Sequence, residues 1–348
     1  MGDALLVALK AVLAVMDIDV PKSSNASASP SAPPNVGGQA VIEGVMMRGP
    51  ERWAVAVRRA GGALEIRTVI CRGWAKKAPI LGKPFLRGAV VLLEPMMVGK
   101  KALNFSAEIA ARVEGEADEN GALRPEKKRP AEKPALGLAA LALTLASAFG
   151  LAMLLFVALP HLLSVFAGRL WGFDETSGLF HLLDGLLKFV FFIAYVGLIG
   201  MIPDIKRVYA YHGAEHQAIH AFEAGGPLTA ETAARHPAWH PRCGTAFIFL
   251  VLALSILLFA AVFPLAFPAA GGSLARAAAG IGLKIVLLLP LAGLAYEVSR
   301  LAGQAGPGSF WRALLWPGLL LQRLTTRRPD VSQLETALAA LKRAVAPN

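Results

Sequence analysis

Charge is scarce in this sequence, and so is sulfur. Charged side chains make up 17% of the 348 residues, against about a quarter in soluble domains, which argues against an ordinary water-soluble globule. Cysteine occurs only at Cys71 and Cys243, far apart in the chain, which excludes a disulfide framework. Acidic residues are short as well: 24 Asp and Glu against 35 Lys and Arg, a formal net charge of +11. Zinc-finger spacing, an RNA-recognition signature and a basic stripe interleaved with aromatics are all missing, so no nucleic-acid partner is expected. The surplus Lys and Arg lie mainly outside the apolar runs, where they read as membrane topology.

What is abundant is apolar length. Hydrophobic residues are 55% of the chain, gathered in runs long enough to cross a bilayer. Four spans are expected: Leu136 to Leu159, Phe180 to Ile202, Ala246 to Phe267 and Ala275 to Val298. Asp184 and Lys188 stand four apart in the second and can pair on one helix face. Lys284 in the fourth can pair with Asp184 or Glu175, or snorkel outward. The short connections Arg169 to Gly178 and Pro268 to Ala275 hold one basic residue, Arg169. The N-terminal region, the stretch after Pro203 and the tail hold far more, so both termini are expected to be cytoplasmic.

Around the spans the texture varies. Ala4 to Met16 suggests an amphipathic surface helix, and Ser23 to Pro34 a flexible linker. Gln39 to Cys71 alternates in β-rich residues with a hairpin signal at Gly61-Gly62, predicting a small antiparallel sheet. Phe85 to Ala111 has helical spacing, with Pro95 expected to kink or break it. Glu114 to Pro134 is charged and weakly hydrophobic, a linker. Phe310 to Leu321 reads as an interfacial or re-entrant piece, and Val331 to Val345 as a short amphipathic helix. The fold expected is an α-helical integral membrane protein of four spans with a small N-terminal cytoplasmic β/α region. Its parts are an extension (1–36), a hairpin and helix region (37–135), a membrane domain (136–299) with a His-rich cytoplasmic loop (203–245), and a tail (300–348). No Gly-x-x-x-Gly face fixes an oligomeric state.

Five of the seven histidines fall between His212 and His240, with Cys243 just beyond. His212 and His216 are four apart and point the same way on a helix, a spacing that suits adjacent corners of a tetrahedral metal. Glu215 beside them completes His-x-x-Glu-His, the inverted metallopeptidase string, where a carboxylate serves as ligand or general base. His220 lies one turn further on the same face, and His236 reads as solvated. His240 and Cys243 are candidates for the remaining ligand positions, Cys243 equally a small buried thiol. Glu297 either completes the site or pairs with Arg300 or Arg207. A divalent metal is expected, zinc if the thiolate takes part, with iron or manganese admitted by an imidazole and carboxylate set. Glu43, Arg48 and Arg87 are candidate substrate or headgroup contacts. The alternatives for Glu43 and Arg48 are closing a turn, and for Arg87 pairing with Glu94.

Several strings together resemble one known family. They are Gly37 to Gly49, Pro84-Phe85-Leu86-Arg87-Gly88, Lys206-Arg207-Val208, Tyr211-His212-Gly213-Ala214-Glu215-His216, Arg242-Cys243-Gly244 and Pro317-Gly318-Leu319. The chain is similar, from about Gly37 to Val345, to the bacterial DUF1385 (YqhQ-like) membrane proteins. That resemblance implies a multi-pass protein of the bacterial inner membrane and a metal-dependent enzyme, the latter resting on the same histidine string. Relatives are expected to carry other residues at Gln217 and His220. Two functions stand side by side. One is a hydrolase with a cytoplasmic-face metal site, acting on a lipid-linked or peptide substrate. The other is a non-enzymatic scaffold or assembly factor whose cytoplasmic region binds a protein partner, membrane lipid being a partner in either case.

Overall fold

The computed structural model describes residues 34, 36–71, 86–110, 138–267, 274–304 and 309–346. The surface helix expected at Ala4 to Met16, nearly all of the Ser23 to Pro34 linker and the linker Glu114 to Pro134 lie outside those residues. The rest is mostly helical with one small sheet.

The sheet is an antiparallel meander of β1 (Gly37–Val41), β2 (Gly44–Arg48), β3 (Arg52–Arg58) and β4 (Leu64–Ile70), in that order. The Gly61-Gly62 signal closes β3 on β4, with Gly62 at a φ of 88°. The β1–β2 turn is Ile42-Glu43, and Glu43 takes a φ of 51°, a left-handed conformation in which a Glu is uncommon. Strand side chains alternate between faces. Val45, Met47, Ala54 and Ala56 point one way, and Met46, Trp53, Val55 and Val57 the other. Both faces are covered, which is why β3 reads apolar almost throughout.

One face packs on α1 (Leu86–Ala110) through Val98, Ala102, Phe105 and Ile109. The expected break at Pro95 does not occur, since α1 runs through it. The other face packs on α10 (Val331–Val345) and α5 (Pro203–Glu223). The stripe Leu334, Leu338, Leu341 of α10 is therefore buried against the sheet. Asp330 starts α10 with a capping box to Gln333, satisfying two orphan donors of the first turn.

Among the described residues, four helices are long and apolar enough to cross a membrane: Ala146–Trp171, Gly178–Ile199, Gly244–Ala266 and Gly282–Ala302. The first lies about ten residues later than expected. It belongs to a continuous run of α2 (Leu138–Met153), a π-helical turn (Leu154–Ala158) and α3 (Leu159–Trp171). Pro160 suggests an end at Leu159, but the wider π turn, with the Leu159 N–H on the Leu154 carbonyl, lets the chain pass the proline without breaking. The other spans are α4 (Gly178–Ile199), α7 (Gly244–Ala266) and most of α8 (Leu274–Gln304). Helix α9 (Phe310–Thr325) continues through Pro317 and packs on α7 and α8. The stretch from 203 is no open loop: it begins with the 21 residues of α5, followed by the short α6 (Ala230–Ala234).

Candidate metal centre

Helix α5 leaves the end of α4 through Pro203 at its first position, where a missing N–H costs nothing. Its 3.6-residue period divides its residues. Tyr211, Ala214, Ala218 and Ile219 enter the core with the sheet and α10, and His212, His216 and His220 share another face. Small residues let neighbours come close. A Cβ on Gly213 would strike the Arg327 carbonyl, and one on Gly38 in β1 would stand 2.9 Å from the Glu215 carboxyl carbon.

Residues 236–243 return across the histidine face toward α7, held by their own carbonyls. Gln217 Nε2 donates to the His236 carbonyl at 2.7 Å, His216 Nδ1 to Ala238 at 2.6 Å and His220 Nε2 to Trp239 at 2.9 Å. From α9, the buried Gln322 clamps the His240 main chain both ways. Its Oε1 accepts from the His240 N–H at 2.8 Å and its Nε2 donates to the His240 carbonyl at 2.9 Å. Cys243 is the N-cap of α7, its sulfur 3.2 Å from Thr245 Oγ1 and accepting from the Thr245 N–H at 3.5 Å.

These contacts fix protons. A carbonyl only accepts, so His216 Nδ1 carries a hydrogen, and His212 Nδ1 does as well, facing the Thr325 carbonyl at 2.9 Å. In its neutral form each ring is then left with a lone pair on Nε2. His212 Nε2 lies 3.2 Å from Cys243 Sγ, and His216 Nε2 is buried with no hydrogen-bond partner. The ligand atoms of His212, His216 and Cys243 all fall within 4.8 Å of one another. Burial keeps the His216 imidazole below its ordinary pKa and so neutral. Burial opposes ionisation of Cys243, but the Thr245 hydroxyl and N–H favour its thiolate, as does His216 when it carries its second proton, and the thiol lies below its usual range.

His240 falls in a neighbouring group with His220 and Glu223, also within 4.8 Å. Its ring is 4.6 Å from that of His220 and 5.9 Å from that of His216. Its Nδ1 accepts from the Arg242 N–H at 3.2 Å, so Nε2 bears the hydrogen and faces Glu223 Oε2 at 3.4 Å. Glu223 also pairs with the Arg242 guanidinium. No ring lone pair of His240 is free. His236 stacks on His220 at 6.0 Å.

Glu215 turns from the histidine face toward β1. It is buried, the Gly38 N–H donates to it, and its Oε2 has no partner. Burial pushes its pKa up to about 8, against the pull of His212. Glu297, on α8, pairs with Arg300 at 3.5 Å and belongs to neither group. Glu43 is held by Arg207 at 2.7 and 2.5 Å, and the Tyr211 hydroxyl lies 3.4 Å from its Oε2. Arg48 pairs with the buried Glu94 at 2.9 Å. Arg87 stands in the first turn of α1, its side chain outside the described residues. Sequence reasoning passes over Gln217, Glu223, Gln322 and Thr325. One polar residue after the apolar Leu319-Leu320-Leu321 was the available signal for Gln322.

A family described as "Protein of unknown function (DUF1385)" matches residues 83–347. The chain is 31% identical over 313 residues to the "Uncharacterized protein YqhQ" of Bacillus subtilis (strain 168), covering 88% of this chain and 91% of that protein. No solved structure matches it.

Proposed function

The chain belongs to the DUF1385 family, and from there we propose a metal-dependent hydrolase of the bacterial plasma membrane, with both termini cytoplasmic. One divalent ion, zinc, is held by His212, His216 and Cys243. The observation that carries this reading is the proton arrangement: both Nδ1 atoms are tied to backbone carbonyls, so both Nε2 lone pairs turn to one sulfur. Such outer hydrogen bonds orient metal-binding imidazoles. The donor set fits, because two imidazoles and a thiolate favour zinc over harder ions. The orphaned, buried Nε2 of His216 is the atom that would gain most. Three protein ligands leave one position of a tetrahedron open, as catalytic zinc sites do.

When bound, zinc supplies Lewis acidity and brings a water molecule's pKa toward neutrality. Glu215 is the carboxyl group at hand to accept and return a proton once a nearby cation has lowered its raised pKa, and its Oε2 has no hydrogen-bond partner. Gly38 leaves room for that carboxylate and steadies it through its N–H. The centre's place, between the end of one span and the start of the next, favours a lipid-linked or membrane-proximal peptide substrate.

Metal analysis of purified protein tests the proposal. Wild type should hold about one zinc per chain, and His216→Ala and Cys243→Ser close to none. Equal, near-zero metal in all three sinks it. A second reading rests on the 3.2 Å between His212 Nε2 and Cys243 Sγ, a thiol and imidazole pair at a helix N-terminus that acts as a nucleophile. Iodoacetamide labelling of Cys243 blocked by His212→Gln, in metal-free protein that gains no zinc, would select it. The scaffold alternative draws on β4, the last strand of the sheet among the described residues, where Ile66, Val69 and Ile70 are exposed. Full cellular function in His212→Ala and Glu215→Ala would favour it.

A further inference from the structure

At the end of the bundle away from His212 and Cys243, the spans bring together ionisable groups that this chemistry does not use. Asp184 and Lys188 come from α4, Lys284 from α8, and the Phe263 ring from α7. At 1.5 Å per residue, Asp184 lies about 9 Å along its helix from Gly178, and Phe263 about 5 Å from Ala266. That is headgroup to upper acyl-chain depth.

Two of these groups are incompletely satisfied. Asp184 gives Oδ2 to Lys188, while its Oδ1 is buried without a hydrogen-bond partner. Lys284 has no carboxylate within ion-pair distance among the described residues. Its ammonium lies 4.9 Å from the ring centre of Phe263, itself only 7% exposed, and 5.8 Å from that of Phe259. A lysine that merely escaped the membrane would extend toward water. This one turns inward, onto a buried ring. His181 closes the group, its ring 5.2 Å from Phe263, within reach of the charges of Lys284, Asp184 and Lys188. The cluster thus holds a cation without a direct ion-pair partner among the described residues and a carboxylate oxygen without a hydrogen-bond donor, both costly in a bundle interior.

We propose that this cluster binds the headgroup of an anionic phospholipid carrying free hydroxyls. The phosphate pairs with Lys284 and a headgroup hydroxyl donates to Asp184 Oδ1. One molecule anchored at that depth supplies both missing partners. A neutral-headgroup lipid supplies no net negative charge, and phosphatidic acid no headgroup hydroxyl.

The test uses the full chain in nanodiscs of phosphatidylcholine doped with phosphatidylglycerol or phosphatidic acid, with retained lipid counted by native mass spectrometry. Wild type should hold a single phosphatidylglycerol in preference to both other lipids. Lys284→Gln should weaken that retention about tenfold, the loss of one charge-assisted contact. Lys284→Arg should keep it, and Asp184→Asn should erase the preference over phosphatidic acid. Zinc content should be the same in all four proteins, which separates this site from the metal centre. No preference for phosphatidylglycerol in wild type overturns the proposal, whether or not a variant folds. Unchanged retention in folded Lys284→Gln overturns it as well. Displacement of the lipid by inorganic phosphate would assign the site to a soluble anion instead.

Discussion

Two triads lie side by side along α5, each completed by one residue of the 236–243 segment, and their difference is in hydrogens. His212, His216 and Cys243 form one; His220, Glu223 and His240 form the other. Each places its ligand atoms within 4.8 Å, and by spacing alone the second is as good. In the first, backbone carbonyls take the Nδ1 hydrogens and leave Nε2 bare. In the second, a backbone N–H occupies Nδ1 of His240 and Glu223 faces its Nε2 hydrogen, while Arg242 satisfies the carboxylate. The first triad is left with lone pairs that no hydrogen bond takes up, whereas the carboxylate of the second is already paired with the Arg242 guanidinium.

The largest effect that can break this comparison is loss of metal. His216→Ala should take zinc from about one per chain to near none, whereas Glu223→Gln should leave it in place, as elemental analysis of both would show. Metal lost equally from both would make the two triads one site. Next is the clamp that holds them at their spacing. Gln322→Leu strands the His240 N–H and carbonyl in a buried place, an expected cost of about 2–5 kcal/mol, read by denaturant unfolding of the α5–α10 and sheet core. It should also lower zinc affinity about 10–100-fold through the displaced 236–243 segment. Glu223→Gln should itself cost about 1 kcal/mol by the same measurement, since a hydrogen bond survives in weaker form. Smallest is Arg242→Ala, whose guanidinium is nearly half exposed. Its effect on stability should stay within about 1 kcal/mol, and zinc content should not change.

Local pattern carried much of the fold. Each span is long and apolar enough to be read directly, and Gly61-Gly62 marks its hairpin because few other residues take a φ like that of Gly62. The first span runs on past Leu159 because a π turn accommodates Pro160, and that turn has no signature in the residues around it. The tail helix is legible as amphipathic through Leu334, Leu338 and Leu341. Its destination against β2 and β3 is not, since nothing local says which apolar face meets which. At the site, the i, i+4 pair His212 and His216 follows from helix geometry, and the structure brings Cys243 to it. Residue type and an expected place at the same end of the spans group His240 and Glu297 with them. What separates them is long-range: Gln322, 82 residues away, sets the His240 backbone, and Arg300 pairs with Glu297 within its own helix.

Cys243 is both a candidate ligand and the first cap of a 23-residue span. Its sulfur is therefore the tip of a rod whose depth is set by the surrounding hydrocarbon. His212 hangs from the far end of a different rod, through α5. A relative slide of α4 and α7 by one helical residue, about 1.5 Å, is a large fraction of the distance that separates the imidazoles from the sulfur. Acyl-chain length sets the preferred depth and tilt of a span, so in a bilayer it would be expected to change the aperture between these ligand atoms. Zinc affinity compared between short-chain and long-chain bilayers would read that gearing directly.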